Sequence, residues 1–114
     1  MAKENEFVEY VLELLGPFGP VQAKAMFGGF GIYRNHLMFG LIADETLYLK
    51  ADEKNRAAFE AKGLPPFTYA KKGKKYSMSY YQAPEEALED PEEMSLWAES
   101  AYGAALRANK RKKG

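Results

Sequence analysis

Cysteine is absent from this chain of 114 residues. That absence removes disulfides, thiolate nucleophiles and cysteine-held zinc together. Histidine is nearly absent as well, since His36 stands alone. A Ser-His-Asp triad would need it to reach Ser77 or Ser79 with an acid behind it, and no spacing suggests that. His36 reads instead as a strand-end residue beside a turn. Net charge is missing too: 16 basic residues balance 16 acidic ones. Generic nucleic-acid binders are basic overall, so this balance argues against strong nonspecific affinity while leaving room for a local basic patch. No apolar run approaches the roughly 20 residues of a membrane helix. The polar start Met1-Ala2-Lys3-Glu4-Asn5-Glu6 has no apolar stretch behind it, so no signal peptide is visible. A cytoplasmic protein without membrane contact is the expectation.

What is present suits one folded domain over residues 1–114, with a short basic tail at about 108–114. Hydrophobic residues make up 46% and aromatics 14%, enough for a core. Phe7, Val8, Val11, Leu12 and Leu15 recur at helical spacing, predicting an amphipathic helix over residues 4–15 that Gly16-Pro17 stops. A β-rich middle follows. Strands are expected at Val21–Phe27, Phe30–Tyr33, His36–Ala43 and Thr46–Ala51, with turns at Arg34-Asn35 and Asp44-Glu45. In the fourth, Leu47 and Leu49 face one way and Tyr48 and Lys50 the other. Such short turns imply antiparallel pairing.

Asp52 is placed to cap a helix running to about Lys62, which Gly63 and Pro65-Pro66 end. Strands are then expected at Phe67–Ala70 and Tyr76–Gln82, and a helical turn over Pro84–Leu88. A last helix has Asp90 as N-cap, Pro91 at its first position and Glu93 at the capping-box position. Met94, Trp97, Ala101, Ala104 and Ala108 form one face of it, and the tail from Lys110 is expected to fray. The whole reads as α+β: a two-layer arrangement of one antiparallel sheet flanked by N-terminal, middle and C-terminal helices.

Chemistry-bearing clusters are few. The acids Glu85, Glu86, Glu89, Asp90, Glu92 and Glu93 look like a solvated helix start, not an acid pair facing across a cleft, and no calcium-loop spacing accompanies them. Gly28-Gly29-Phe30-Gly31 lacks the dinucleotide-binding spacing and precedes a strand, so it reads as a turn. Catalytic residues, cofactor and metal are therefore all expected to be absent. The least ordinary feature is Lys71, Lys72, Lys74 and Lys75 around Gly73, with Tyr80 and Tyr81 nearby. Basic residues interleaved with aromatics hold nucleic acid by phosphate contact and stacking, although a charged hairpin tip also deters edge-to-edge strand pairing.

Lys24-Ala25-Met26-Phe27-Gly28-Gly29-Phe30-Gly31-Ile32-Tyr33 resembles the signature of the TfoX/Sxy N-terminal domain family. Three more stretches agree in order: Leu37-Met38-Phe39 with Leu47-Tyr48-Leu49-Lys50, Pro66-Phe67-Thr68-Tyr69 with Met78-Ser79-Tyr80-Tyr81, and Leu88-Glu89-Asp90-Pro91 leading to Trp97-Ala98. The resemblance implies an antiparallel sheet flanked by helices. It also implies a regulator of natural competence, acting as a transcriptional co-activator through a protein partner such as the cyclic-AMP receptor protein. It implies no catalytic residue and no cofactor. Met26, Phe27, Gly28, Gly29, Gly31 and Tyr33 are then signature residues with a structural role. Longer members carry a second, C-terminal domain, and this chain ends soon after the first, which suggests a stand-alone module. A non-enzymatic adaptor that binds a protein is the first expectation. A nucleic-acid module using Lys71–Lys75 and the basic tail is the second, and a small enzyme the third. A monomer or homodimer is expected.

Overall fold

The computed structural model describes residues 2–26, 28–71 and 73–113. The elements run α1 (Ala2–Leu14), β1 (Gln22–Met26), β2 (Gly29–Arg34), β3 (Leu37–Ala43), β4 (Thr46–Lys50), α2 (Arg56–Ala61), β5 (Pro66–Lys71), β6 (Lys74–Gln82), a single 3-10 turn (Glu85–Leu88) and α3 (Pro91–Lys113). The strands form one six-stranded sheet in the order β1-β2-β3-β4-β6-β5, and every neighbouring pair is antiparallel. This is the α+β, sheet-and-helix arrangement that the sequence implies.

Tight hairpins build most of the sheet. Arg34 pairs with Leu37, and Ala43 with Thr46. Only Asn35-His36 and Asp44-Glu45 lie between them, and all four have positive φ, between 51° and 67°. Two successive positive-φ residues make a type I′ turn, whose twist matches that of the strands it joins. His36, expected at the head of β3, is thus a turn residue. After β4 the chain passes through α2 to the far edge as β5 and returns as β6 beside β4, where Lys50 pairs with Tyr80.

Side-chain alternation divides the sheet into two faces. One carries Ile32, Phe39, Ile42, Leu47 and Leu49, which share a single buried cluster with Val11 and Leu14 of α1, Leu15 just after it, Phe59 of α2 and Met94, Ala98 and Ala101 of α3. Phe39 is the extra residue of a bulge between β2 and β3. Its ring packs against Phe18 and Tyr102 at centroid distances of 5.3 and 6.0 Å. At the other end Phe59 lies between Tyr81 and Trp97. Alanines on α3 let that helix lie close on the sheet, which is why its buried face is Ala-rich.

Three expectations are corrected. The helix predicted from Asp52 begins only at Arg56. Asp52 Oδ1 accepts from the backbone N–H of Lys54 and Asn55, while Asn55 Oδ1 accepts from that of Asp52 at 2.7 Å. These reciprocal bonds hold residues 52–55 in a turn. The tail expected to fray from Lys110 continues α3 to Lys113. Lysine and arginine are good helix formers, and positive charge suits a helix C-terminus. The basic tip expected at 71–75 is narrower, since Lys71 belongs to β5 and pairs directly with Lys74 of β6.

Candidate functional site

The second face of the sheet is the one the helices leave uncovered. Register places Lys24 and Met26 of β1, Gly31 and Tyr33 of β2, Met38 and Leu41 of β3, Tyr48 and Lys50 of β4, and Tyr80 and Gln82 of β6 together on it. Phe67 of β5 joins them, its ring 4.9 Å from that of Tyr48 in an edge-on contact.

This face has a dry floor. Leu41 is 3% exposed and Tyr80 is 4% exposed, although no helix packs over them. Their cover comes from the face's own side chains. The Lys50 ammonium sits 5.1 Å above the Tyr80 ring and also donates to Ser79 Oγ at 3.2 Å. The Tyr80 hydroxyl reaches across β4 and donates to the Met38 carbonyl at 3.3 Å. Burial, with Tyr33 adding to it, pushes this hydroxyl well above the ordinary phenol value, so Tyr80 is a neutral donor. Gly31 leaves the space into which the sulfurs of Met26 and Met38 turn. Above the floor stand the half-buried rings of Tyr33 and Tyr48. The ammonium of exposed Lys24 lies 5.0 Å over the Tyr33 ring, and the Tyr33 hydroxyl is 3.8 Å from Met26 Sδ.

Charge is segregated by element. The six strands contain Lys24, Arg34, Lys50, Lys71, Lys74 and Lys75 and no aspartate or glutamate. The acids lie in helices, turns and connections, so a chain of zero net charge has a basic sheet.

The residues singled out in the sequence do not converge on one point. Tyr80 is on the uncovered face, whereas Tyr81 points the other way, stacked on Phe59 and donating to Glu60 Oε2 at 3.2 Å. Lys71 ends β5 and Lys74 and Lys75 begin β6. The side chains of these three lysines, and Lys72 and Phe27 entirely, lie outside the described residues. Met26, Gly28, Gly29, Gly31 and Tyr33 form the β1–β2 hairpin. Lys24, Tyr48, Lys50 and Phe67 were not singled out, yet the alternation of β4 already separates Tyr48 and Lys50 from the leucines.

The acid cluster is dispersed. Glu86 pairs with Lys62, and Asp90 Oδ1 accepts from the Glu92 N–H at 3.4 Å, at the start of α3. His36 sits in the β2–β3 turn and Ser77 and Ser79 sit on β6, with β4 between β3 and β6. Among the described residues no group of three His, Cys, Asp or Glu is placed to hold a metal ion. No described helix is long and apolar enough to cross a membrane.

The chain is 30% identical to the DNA transformation protein TfoX1 of Aliivibrio fischeri over 82 residues, which are 72% of this chain and 37% of that protein. It is 26% identical to the protein Sxy of Escherichia coli over 96 residues, 83% of this chain and 46% of that protein. The matched region thus spans less than half the length of either relative. The profile of the TfoX N-terminal domain matches residues 13–105, from the end of α1 through most of α3. This chain belongs to the TfoX N-terminal domain family.

Proposed function

We propose that this protein is a non-enzymatic regulatory module in bacterial DNA transformation, acting as a transcriptional co-regulator through a protein partner. The observation that carries the reading is the family match over residues 13–105, joined by two relatives, one of them named for DNA transformation. The described side chains are consistent with it. The Asp52–Arg107 and Lys62–Glu86 pairs join structural elements to one another, as do the rings around Phe39 and Phe59.

The test has a genetic and a biochemical arm. Deleting the coding sequence in its host should lower transformation frequency and the transcripts of DNA-uptake genes, with both restored by the wild-type copy. Tagged protein should co-purify one transcription factor in a nuclease-resistant complex that purified components re-form. Unchanged transformation and transcripts in the deletion strain would remove the reading.

A further inference from the structure

We propose that the uncovered face of the sheet binds single-stranded nucleic acid, with bases stacked on Tyr48 and Tyr33 and phosphates held by Lys24 and Lys50. The proposal does not depend on the regulatory reading. It rests on three observations about the same surface.

The first is charge. Lys24 and Lys50 are the described charged side chains of this face, Arg34 lying over Phe18 and Tyr102 on the helix side, and no strand carries an acid, so the face is complementary to a polyanion even though the whole chain is neutral. The second is the pairing of cation with ring. Lys24 lies over Tyr33 and Lys50 over Tyr80, so each ammonium stands beside an aromatic surface. Phosphate and base alternate along a single strand and call for that combination. The third is the sealed floor of Leu41 and Tyr80, over which the half-buried rings of Tyr33 and Tyr48 stand against Met26 and Phe67. A preset platform loses little conformational entropy when a base stacks on it.

Single strands fit this face better than duplex. The bases of a duplex are stacked on one another, and reading their edges takes an element that enters a groove, whereas a broad sheet offers a stacking surface. Six strands at about 4.8 Å spacing make a platform about 24 Å wide, room for at most about seven nucleotides at 3.4 Å each.

The experiment is fluorescence anisotropy with labelled oligothymidylates of increasing length, repeated from about 50 mM salt upward. Affinity should rise with length and level off at no more than about seven nucleotides. Tyr48→Leu, which keeps an apolar body against Phe67, should weaken binding about tenfold. Lys24→Gln with Lys50→Gln keeps the inner half of each side-chain stem and removes two charges. It should reduce the slope of log affinity against log salt by about 1.4. Tyr81→Phe, on the opposite face, is the control and should bind like wild type. Thermal melts of each variant establish that it is folded.

Failure of the wild type to bind would overturn the proposal. So would binding by folded variants that ignores Tyr48, Lys24 and Lys50, which would place the contact elsewhere. Equal affinity for duplex with no effect of Tyr48→Leu would reduce the contact to charge alone and overturn it as well. An acidic peptide that displaces the DNA and shows the same dependence on the variants would make the face a protein-docking surface instead.

Discussion

Arg107 grips Asp52 with two guanidinium nitrogens, Nε at 2.5 Å from Oδ2 and Nη2 at 3.0 Å from Oδ1. The pair ties α3 to the turn that leads from β4 into α2. Asn55 tightens the same joint by donating from Nδ2 to the Lys50 carbonyl and to Ser100. The Arg107 hydrogen bond is the main reason that the Asp52 carboxyl is held at about 2, down from 3.8, and the N–H groups of Lys54 and Asn55 add to it. A lowered carboxyl pKa stabilises the fold at pH values above about 4, and that stability disappears as pH falls toward 2. Arg107 is a third exposed, so solvent screens part of the effect, leaving about 1–2 kcal/mol. Urea unfolding of wild type should lose this amount between neutral pH and pH near 2. Asp52→Asn should be weaker at neutral pH and flatter over that interval. An unchanged acid limb in Asp52→Asn would mean the pair contributes nothing.

The two type I′ turns are made without glycine. His36 at φ 67° and Glu45 at φ 55° each occupy the left-handed region at the second turn position. A left-handed conformation costs an L-residue roughly 1–2 kcal/mol, partly offset by the larger unfolded-state entropy of glycine. His36→Gly and Glu45→Gly should therefore each stabilise by about 0.5–1 kcal/mol, giving Asn-Gly and Asp-Gly, the preferred pairs for this turn. Thermal melts should rise by several degrees for each variant, and the two gains should add because the turns share no partner. A fall in either melt would show that the native side chain makes a contact worth more than the strain.

Much of this architecture was legible because local chemistry and tertiary packing agree. The alternation of Leu47 and Leu49 with Tyr48 and Lys50 gives the two faces of β4, and Asp90-Pro91 marks the start of α3. The α2 boundary was misread because Asp52 and Asn55 bond each other's backbone, and a good N-cap residue in sequence can equally hold a turn. Tyr80 and Tyr81 looked alike, and only the strand register separates one face from the other. The uncovered face was hidden for a different reason. Its members come from all six strands, and no local pattern shows which side of a sheet the helices will choose.

Tyr80 offers a test of the floor of that face. Its hydroxyl gives up water for the Met38 carbonyl, and Phe in its place would leave that acceptor without the bond. Tyr80→Phe should destabilise by about 1 kcal/mol at neutral pH. The alkaline limb carries the sharper signature. A phenol whose folded pKa lies above its ordinary value of 10.0 stabilises the fold below pH 10, and the contribution is lost as pH climbs past it. Wild type should therefore weaken above pH 10, and Tyr80→Phe should weaken less steeply. Some slope should remain, because desolvation and Glu60 raise Tyr81 in the same direction. Absorbance titration should show one tyrosine ionising only as the protein unfolds, and its persistence in Tyr80→Phe would assign the behaviour to another ring.

Three neighbouring glycines, Gly28, Gly29 and Gly31, are required for three different reasons, and alanine at each should report them separately. A Cβ at Gly29 would stand 2.1 Å from the Ile42 carbonyl oxygen, a backbone atom of β3 that cannot move without breaking the sheet. Gly29→Ala should cost more than 4 kcal/mol or abolish folding. At Gly31 the obstacles are the sulfurs of Met26 and Met38, at 2.7 and 2.8 Å, both at the ends of flexible side chains. Those thioethers can swing away, so Gly31→Ala should cost about 1–3 kcal/mol. At Gly28 nothing lies within 4 Å, and the only requirement is its φ of +74°. Gly28→Ala should cost about 1–2 kcal/mol and Gly28→Asn less, since asparagine tolerates the left-handed region. Urea midpoints of the four variants, with soluble yield standing in where folding fails, should follow that order. If Gly29→Ala proved as mild as Gly28→Ala, β2 and β3 would not approach as closely at Ile42 as the hairpin requires, and the Gly-Gly pair would be serving the turn alone.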